Sequence, residues 1–305
     1  MITKYTASGF SSSSQFETVI SVEELEAISQ AHRTINQLRD FDDKIGFVIE
    51  NYLDLEKQMF DISHRYMFEQ GLDVTSFQSD RFAINHKIIN LLSSCRLYWD
   101  QMEHEISQLE QEGLLESFRV SKSKEYDAKL GFRVLETLRN HVQHRGLPVE
   151  IVTYAEQAVW IEEKQYLERR ISPTIKIQNL KEGSKIKSSV MTEIEDAGLE
   201  TLPLLEYIRD YIESTFEVHC KFREQIESFV EGQKGFLESF IERMKSESGF
   251  LTSKHFISIT TSGSEGEILD RFTICGSMLE FEEKYFKGNR GRLSNFKQSF
   301  VSNRI

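Results

Sequence analysis

The chain has 305 residues, 39% hydrophobic and 28% charged, with only three prolines, a balance that fits a folded helical protein rather than a disordered one. A net charge of −12 excludes a surface that grips nucleic acid everywhere, because phosphate binding needs clustered Lys and Arg, but it leaves room for one basic groove on an acidic body. Cys95, Cys220 and Cys275 are far apart and form no CxxC pair, so neither a disulfide framework nor a zinc ribbon is expected and a reducing cytoplasm is the simplest location; no run of 18 apolar residues occurs, so no membrane span is expected.

Residues 1–20, with "SGFSSSS" at their centre, read as a flexible N-terminal segment. Ser21 and Glu24 form a capping-box pattern that opens a helix to about Leu38. A second helix is predicted over about 42–70, closed by Gly71. The third, from Asp80 to about Gln111, carries Ile88, Leu92, Cys95, Trp99, Met102, Ile106 and Leu109 on one stripe, which belongs in a bundle core or at a dimer seam. Gly113 interrupts, "LLESFRVSKSKEY" reads as a partly basic connection, and a fourth helix spans about Glu125 to His144 on Leu130, Val134, Leu138 and Val142. Gly146 suits a left-handed cap there, and Pro148 stops the helix.

Beyond 150 the pattern changes. "VEIVTYAEQAVWIEEKQYLERR" fits strand or helix, "PTIKIQN" and "KHFISIT" alternate like short strands, and "SKIKSSVMTEIEDAG" reads as a short helix. A long helix is predicted from about Pro203 to Glu247, weakened and divided at Gly232 and Gly235. "TSGSEGE" reads as a loop, "MLEFEEKYF" as a last short helix and residues 287–305 as a basic tail. The expected fold is mainly α: a helical bundle over 21–149 with long helices, followed by a mixed C-terminal region, 150–305, with a few short strands and no assigned role.

One stretch stands out for chemistry: "ETLRNHVQHRGLP", residues 136–148. P-loop, GxSxG and HExxH patterns are absent, and the other histidines are scattered. Here Arg139, Asn140, His141, His144 and Arg145 crowd the last turns of one helix. Arginine offers a permanent charge and a planar fork suited to phosphate, and histidine exchanges protons near neutral pH. RNA cleavage through the 2′-oxygen needs both and calls for neither a metal nor a cofactor. Asn140 and His144 share a helix face, but Arg139 and His144 lie about 140° apart around the axis. Their joint use at one phosphate demands a frayed turn or a second copy of the motif. The competing explanation is helix stability, since cations at a helix C-terminus each contribute about 0.3–1 kcal/mol.

The same residues resemble the Arg-x4-6-His signature of the HEPN superfamily (higher eukaryotes and prokaryotes nucleotide-binding), in which a polar residue, often Asn, follows the Arg. "NHKIINLLSSCRLYWDQ" and "KEYDAKLGFRVLETLRNHVQHRGLPV" extend the resemblance over about 80–149. It implies a helical bundle with the motif on a late helix, a metal-independent endoribonuclease active as a homodimer, and a role in phage defence or as a toxin. Carried over, Arg139 and His144 are the catalytic pair and Asn140 their polar helper. RNA would further meet Arg145, His141, Lys129 and Arg133. Over 117–145, seven basic residues against three acidic ones give a local excess of about four charges. The alternative is a non-catalytic helical module that binds a partner or dimerises, with 150–305 open to a protein partner.

Overall fold

The computed structural model describes residues 4–11, 14–68, 74–109, 111–183, 188–196, 198, 200–252, 254–279 and 300–302. By contact they divide into two discontinuous units, residues 1–42 with 223–284 and residues 43–222 with 285–305. Long helices dominate, as expected, and two small antiparallel sheets accompany them, one with strands from the N-terminal stretch, so the fold is mixed α/β with a largely helical content.

The first unit holds a four-stranded sheet in the order β2-β1-β6-β7, built from β1 (Lys4–Phe10), β2 (Gln15–Val19), β6 (Ile257–Ser262) and β7 (Ile268–Ile274). The stretch expected to be a flexible lead-in is therefore a hairpin. Its β1 pairs with β6 from Lys4↔Ser262 to Gly9↔Ile257. A Cβ at Gly9 would stand 2.7 Å from Leu251 Cδ2, so a larger residue there would have to displace that side chain. The "TSGSEGE" loop closes the β6–β7 hairpin, and β7 has no counterpart in the sequence reading.

Helix α1 (Val22–Phe68) starts with the expected capping box, the Glu24 amide donating to Ser21 Oγ at 3.1 Å and the Ser21 amide to Glu24 Oε2 at 3.4 Å. It does not break near residue 40. Leu38, Phe41, Ile45, Ile49, Tyr52, Leu55, Met59 and Ile62 are all buried, an unbroken stripe that carries the helix through "RDFDD". Gly71 lies outside the described residues, as do nearly all of the expected last helix and the basic tail. Helix α7 (Leu204–Ser248) is likewise continuous. Gly232 and Gly235 sit inside it with open space where a Cβ would stand.

The second unit contains α2 (Val74–Ser107), α3 (Leu114–Ala128), α4 (Leu130–His144), α5 (Ile177–Gly183), α6 (Ser188–Asp196) and the first part of α7. The six stripe residues of α2, from Ile88 to Ile106, are buried, and so is Leu109 in the turn that follows. The "LLESFRVSKSKEY" connection is helical: it is α3, set off by Gly113 in the left-handed region at φ 73°. At Gly131 a Cβ would lie 2.4 Å from Asp210 Cβ and 2.8 Å from the Tyr207 carbonyl oxygen, so the missing side chain lets α4 lie close against α7.

The ambiguous region after 150 is a hairpin of β3 (Ile151–Ile161) and β4 (Lys164–Lys176), with β5 (Thr201–Pro203) and β8 (Phe300–Ser302) on the far edge of β4. Its two-residue turn uses Glu162 and Glu163 at φ 49° and 64°. These left-handed values are normally left to Asn or Gly, which is why no turn signal marked it.

Candidate active site at the end of helix α4

Helix α4 remains regular to His144. The amides of Arg145 and Gly146 both reach the His141 carbonyl, at 2.8 and 3.3 Å. Gly146 is not among the glycines in the left-handed region, so the expected left-handed cap is replaced by this shared carbonyl. The chain then leaves along α2. Buried Asn85 donates to the Val149 carbonyl at 3.0 Å and accepts from the Val149 amide at 2.8 Å. One amide side chain thus holds the exit segment as a neighbouring strand would. The sequence reading gave Asn85 no role, since its partner lies on a different element.

Arg139 points into a polar chain that ties α2, α4 and α7 together. Trp99 Nε1 donates to the Tyr211 hydroxyl at 3.0 Å, and that hydroxyl donates to Glu136 Oε1 at 2.9 Å. Arg139 Nη1 lies 3.3 Å from Glu136 Oε2, and its Nη2 donates to Asn140 Oδ1 at 2.9 Å. Burial, and then the Glu136 charge, holds the Tyr211 hydroxyl far above the ordinary tyrosine range. Burial and Glu136 act on the Cys95 thiol in the same direction. Arg139 is therefore the counter-ion of a carboxylate set among groups that stay neutral, and its Nε is buried without a hydrogen bond.

His141 is buried at 5% exposure, and its Nδ1 has no hydrogen-bond partner. Burial lowers its pKa, and Arg145 adds to this, while the Glu150 charge and the Leu147 carbonyl oppose it. His144 and Arg145 are exposed on the last turn. Because α4 does not fray, Arg139 and His144 keep their separation of about 140° around its axis.

The remaining basic residues have other partners. Arg133 Nη1 donates to the carbonyls of Tyr126 and Asp127 at 2.8 and 2.7 Å, closing the end of α3, and its Nη2 pairs with Glu193 at 2.6 Å. Lys129 pairs with Glu213 at 3.0 Å, and that hydrogen bond raises its pKa. Arg119 and Lys122 share Glu103. Of the basic strip over 117–145, Lys124 and Arg145 are the two members without an ion pair among the described residues. The predicted groove is thus largely neutralised inside the unit.

Among the described residues, no group of three His, Cys, Asp or Glu side chains is placed to hold a metal ion, and no helix is long and apolar enough to cross a membrane. No known family matches the chain, and neither does any characterised protein or solved structure. The likeness to the HEPN signature rests on the motif residues themselves.

Proposed function

We propose that the protein is a metal-independent endoribonuclease whose site is the end of α4 completed by a second copy of the chain. The observation that carries this reading is the exposed last turn, with His144 and Arg145 open to solvent one turn beyond an arginine and asparagine already hydrogen-bonded to each other at 2.9 Å. His144 of one chain removes the proton from a 2′-hydroxyl. The 2′-oxygen then bonds to phosphorus, the bond to the 5′-oxygen breaks, and the same His144 passes the proton it took to that leaving oxygen. The products are a 2′,3′-cyclic phosphate and a 5′-hydroxyl. Arg139 of the second chain neutralises charge building on the phosphoryl oxygens, and Asn140 of that chain orients it. Two copies are required because the regular helix keeps Arg139 and His144 of one chain apart. A homodimer acting on cytoplasmic RNA follows from this reading. The defence or toxin role comes with the resemblance alone.

The test is cleavage of end-labelled total RNA in EDTA by wild type, Arg139→Lys and His144→Ala. Wild type is expected to cut and His144→Ala to lose roughly a hundredfold or more, the usual share of a proton-transfer residue. Arg139→Lys keeps a cation beside Glu136 but removes the planar fork. An inert wild type, or a His144→Ala variant as active as wild type, rejects the reading.

A second reading has its own observation. The Glu136–Arg139 pair inside the Trp99–Tyr211 chain gives Arg139 a full structural duty. A non-catalytic binding or dimerisation module would keep it for that reason alone. Under this reading Arg139 variants lose stability and neither variant alters any RNA.

A further inference from the structure

Two polar cavities among the described residues of the second unit differ in the state of their cations. The larger, about 510 Å³, is lined by Arg170 and Arg209. Both are already neutralised: Arg170 lies 3.0 Å from Glu168, and Arg209 forms a double contact with Glu56 at 2.7 and 2.9 Å. The smaller, about 360 Å³, opens beside the exit of α4 and is lined by Arg81, His141, Arg145, Glu150 and Asn179, among others. Here the guanidiniums are not spent. Arg145 makes no ion pair among the described residues, and Arg81 makes one long hydrogen bond, 3.3 Å, to the Glu150 backbone carbonyl. The Glu150 carboxylate, the one acid on the wall, is turned to Asn179 Nδ2 and to the Lys176 amide. Two guanidiniums from different elements line the cavity with one acid, whose neutral hydrogen-bond donors leave its charge in place, so the wall keeps one guanidinium charge in excess. The buried His141 ring, with Nδ1 unpaired, completes the wall. The helix end adds a partial negative charge of about half a unit, less than one guanidinium supplies.

We propose that this cavity is a phosphate subsite, in which Arg81 and Arg145 hold a phosphate of the RNA strand beside the one being cut. The proposal rests on the ribonuclease reading for its ligand. Arg81 belongs to α2 and lies outside the motif, and the cavity brings it to Arg145 across the exit segment that Asn85 pins. Planar forks approaching a phosphate from two elements fix its position as well as its charge, which would set where the strand enters the last turn of α4. Arg81 and Arg145 are positioning residues in this account.

The experiment has two arms, both with the full chain. In the first, binding of a short labelled 2′-O-methyl RNA, which cannot be cleaved through its 2′-oxygen, is measured against salt for wild type, Arg81→Gln, Arg145→Gln and Arg170→Gln. The account expects Arg81→Gln and Arg145→Gln each to weaken binding roughly threefold to tenfold and to flatten the slope of log affinity against log salt by about 0.7. Arg170→Gln, an exposed arginine at the other cavity, should bind as wild type. In the second arm, inorganic phosphate is titrated and its phosphorus line width followed. Wild type should broaden the line and Arg81→Gln should not. If wild type cleaves RNA but Arg81→Gln and Arg145→Gln match it in both arms, the subsite is wrong and the ribonuclease reading stands. If phosphate binds through Arg81 while the RNA analogue does not bind, the anion site stands and the RNA reading falls. If Arg170→Gln weakens RNA binding as much as the others, the effect is general charge loss and the subsite is rejected.

Discussion

The two flanks of helix α4 carry the same residue types under opposite conditions. On the packed flank, Arg139 is held by Glu136 and Asn140 and backed by Tyr211 and Trp99. On the exit turn, His144 and Arg145 face solvent, and Arg145 shares a cavity with Arg81. A spacing motif treats them as one site. The structure separates an arginine that balances a half-buried carboxylate from side chains exposed to solvent. Spacing therefore names the residues but does not assign their duties. Partners on other elements do that.

The largest effect should come from the residue that pins the exit of α4. Asn85→Leu leaves the amide and carbonyl of buried Val149 without partners. At about 1–3 kcal/mol for each buried unsatisfied group, chemical denaturation should show a loss of about 3 kcal/mol. A loss below about 0.5 kcal/mol would mean that the exit segment is not pinned there. Next comes Arg139→Ala, which strips Glu136 of its counter-ion. Removing one partner of a fully buried pair costs about 3–5 kcal/mol, and the partial exposure of this one, 15% and 27%, reduces the expectation to about 2 kcal/mol. Glu136→Gln in the same chain should recover much of that loss. An additive double mutant would show that the two residues are not coupled.

A smaller effect is the pH response of His141. Its folded pKa is lowered, chiefly by burial, with Arg145 adding and Glu150 and the Leu147 carbonyl opposing. The unfolded chain therefore binds the proton more readily. Stability should fall as pH drops through about 6.5, the ordinary histidine value, and level off below the folded pKa. His141→Gln should flatten that part of the thermal stability profile, and an unchanged slope would remove His141 as its source. The smallest effect belongs to the exit turn: His144→Ala, on an exposed side chain, should leave stability within about 0.5 kcal/mol.

Much of the helical framework was legible in the sequence, because it depends on local periodicity. The Ser21–Glu24 box and the stripe from Ile88 to Leu109 are present as read. What escaped depends on distant partners or atypical turns. Ala7, Ser8 and Gly9 look like a loop until β6, near the other end of the chain, supplies the pairing strand. The β3–β4 hairpin turns on two glutamates instead of Asn-Gly. The α1 helix hides its continuity in a charged stretch whose Phe41 keeps the stripe going. At the site, the crowding of Arg and His at the end of α4 was visible. The Tyr211–Glu136–Arg139 chain, the Asn85 clasp and the place of Arg81 were not, since each joins elements far apart in sequence.

The most direct test of the cross-chain site is subunit complementation. Arg139→Lys and His144→Ala chains are purified separately, mixed, unfolded and refolded together, and assayed for RNA cleavage in EDTA. In a mixed dimer, one site receives Arg139 from the His144→Ala chain and His144 from the Arg139→Lys chain, while the other site has neither. The account predicts that two inactive preparations regain, on mixing, roughly a quarter of wild-type activity, since half the dimers are mixed and each carries one intact site. Two variants that are inactive alone and remain inactive after mixing would contradict a site built across two chains.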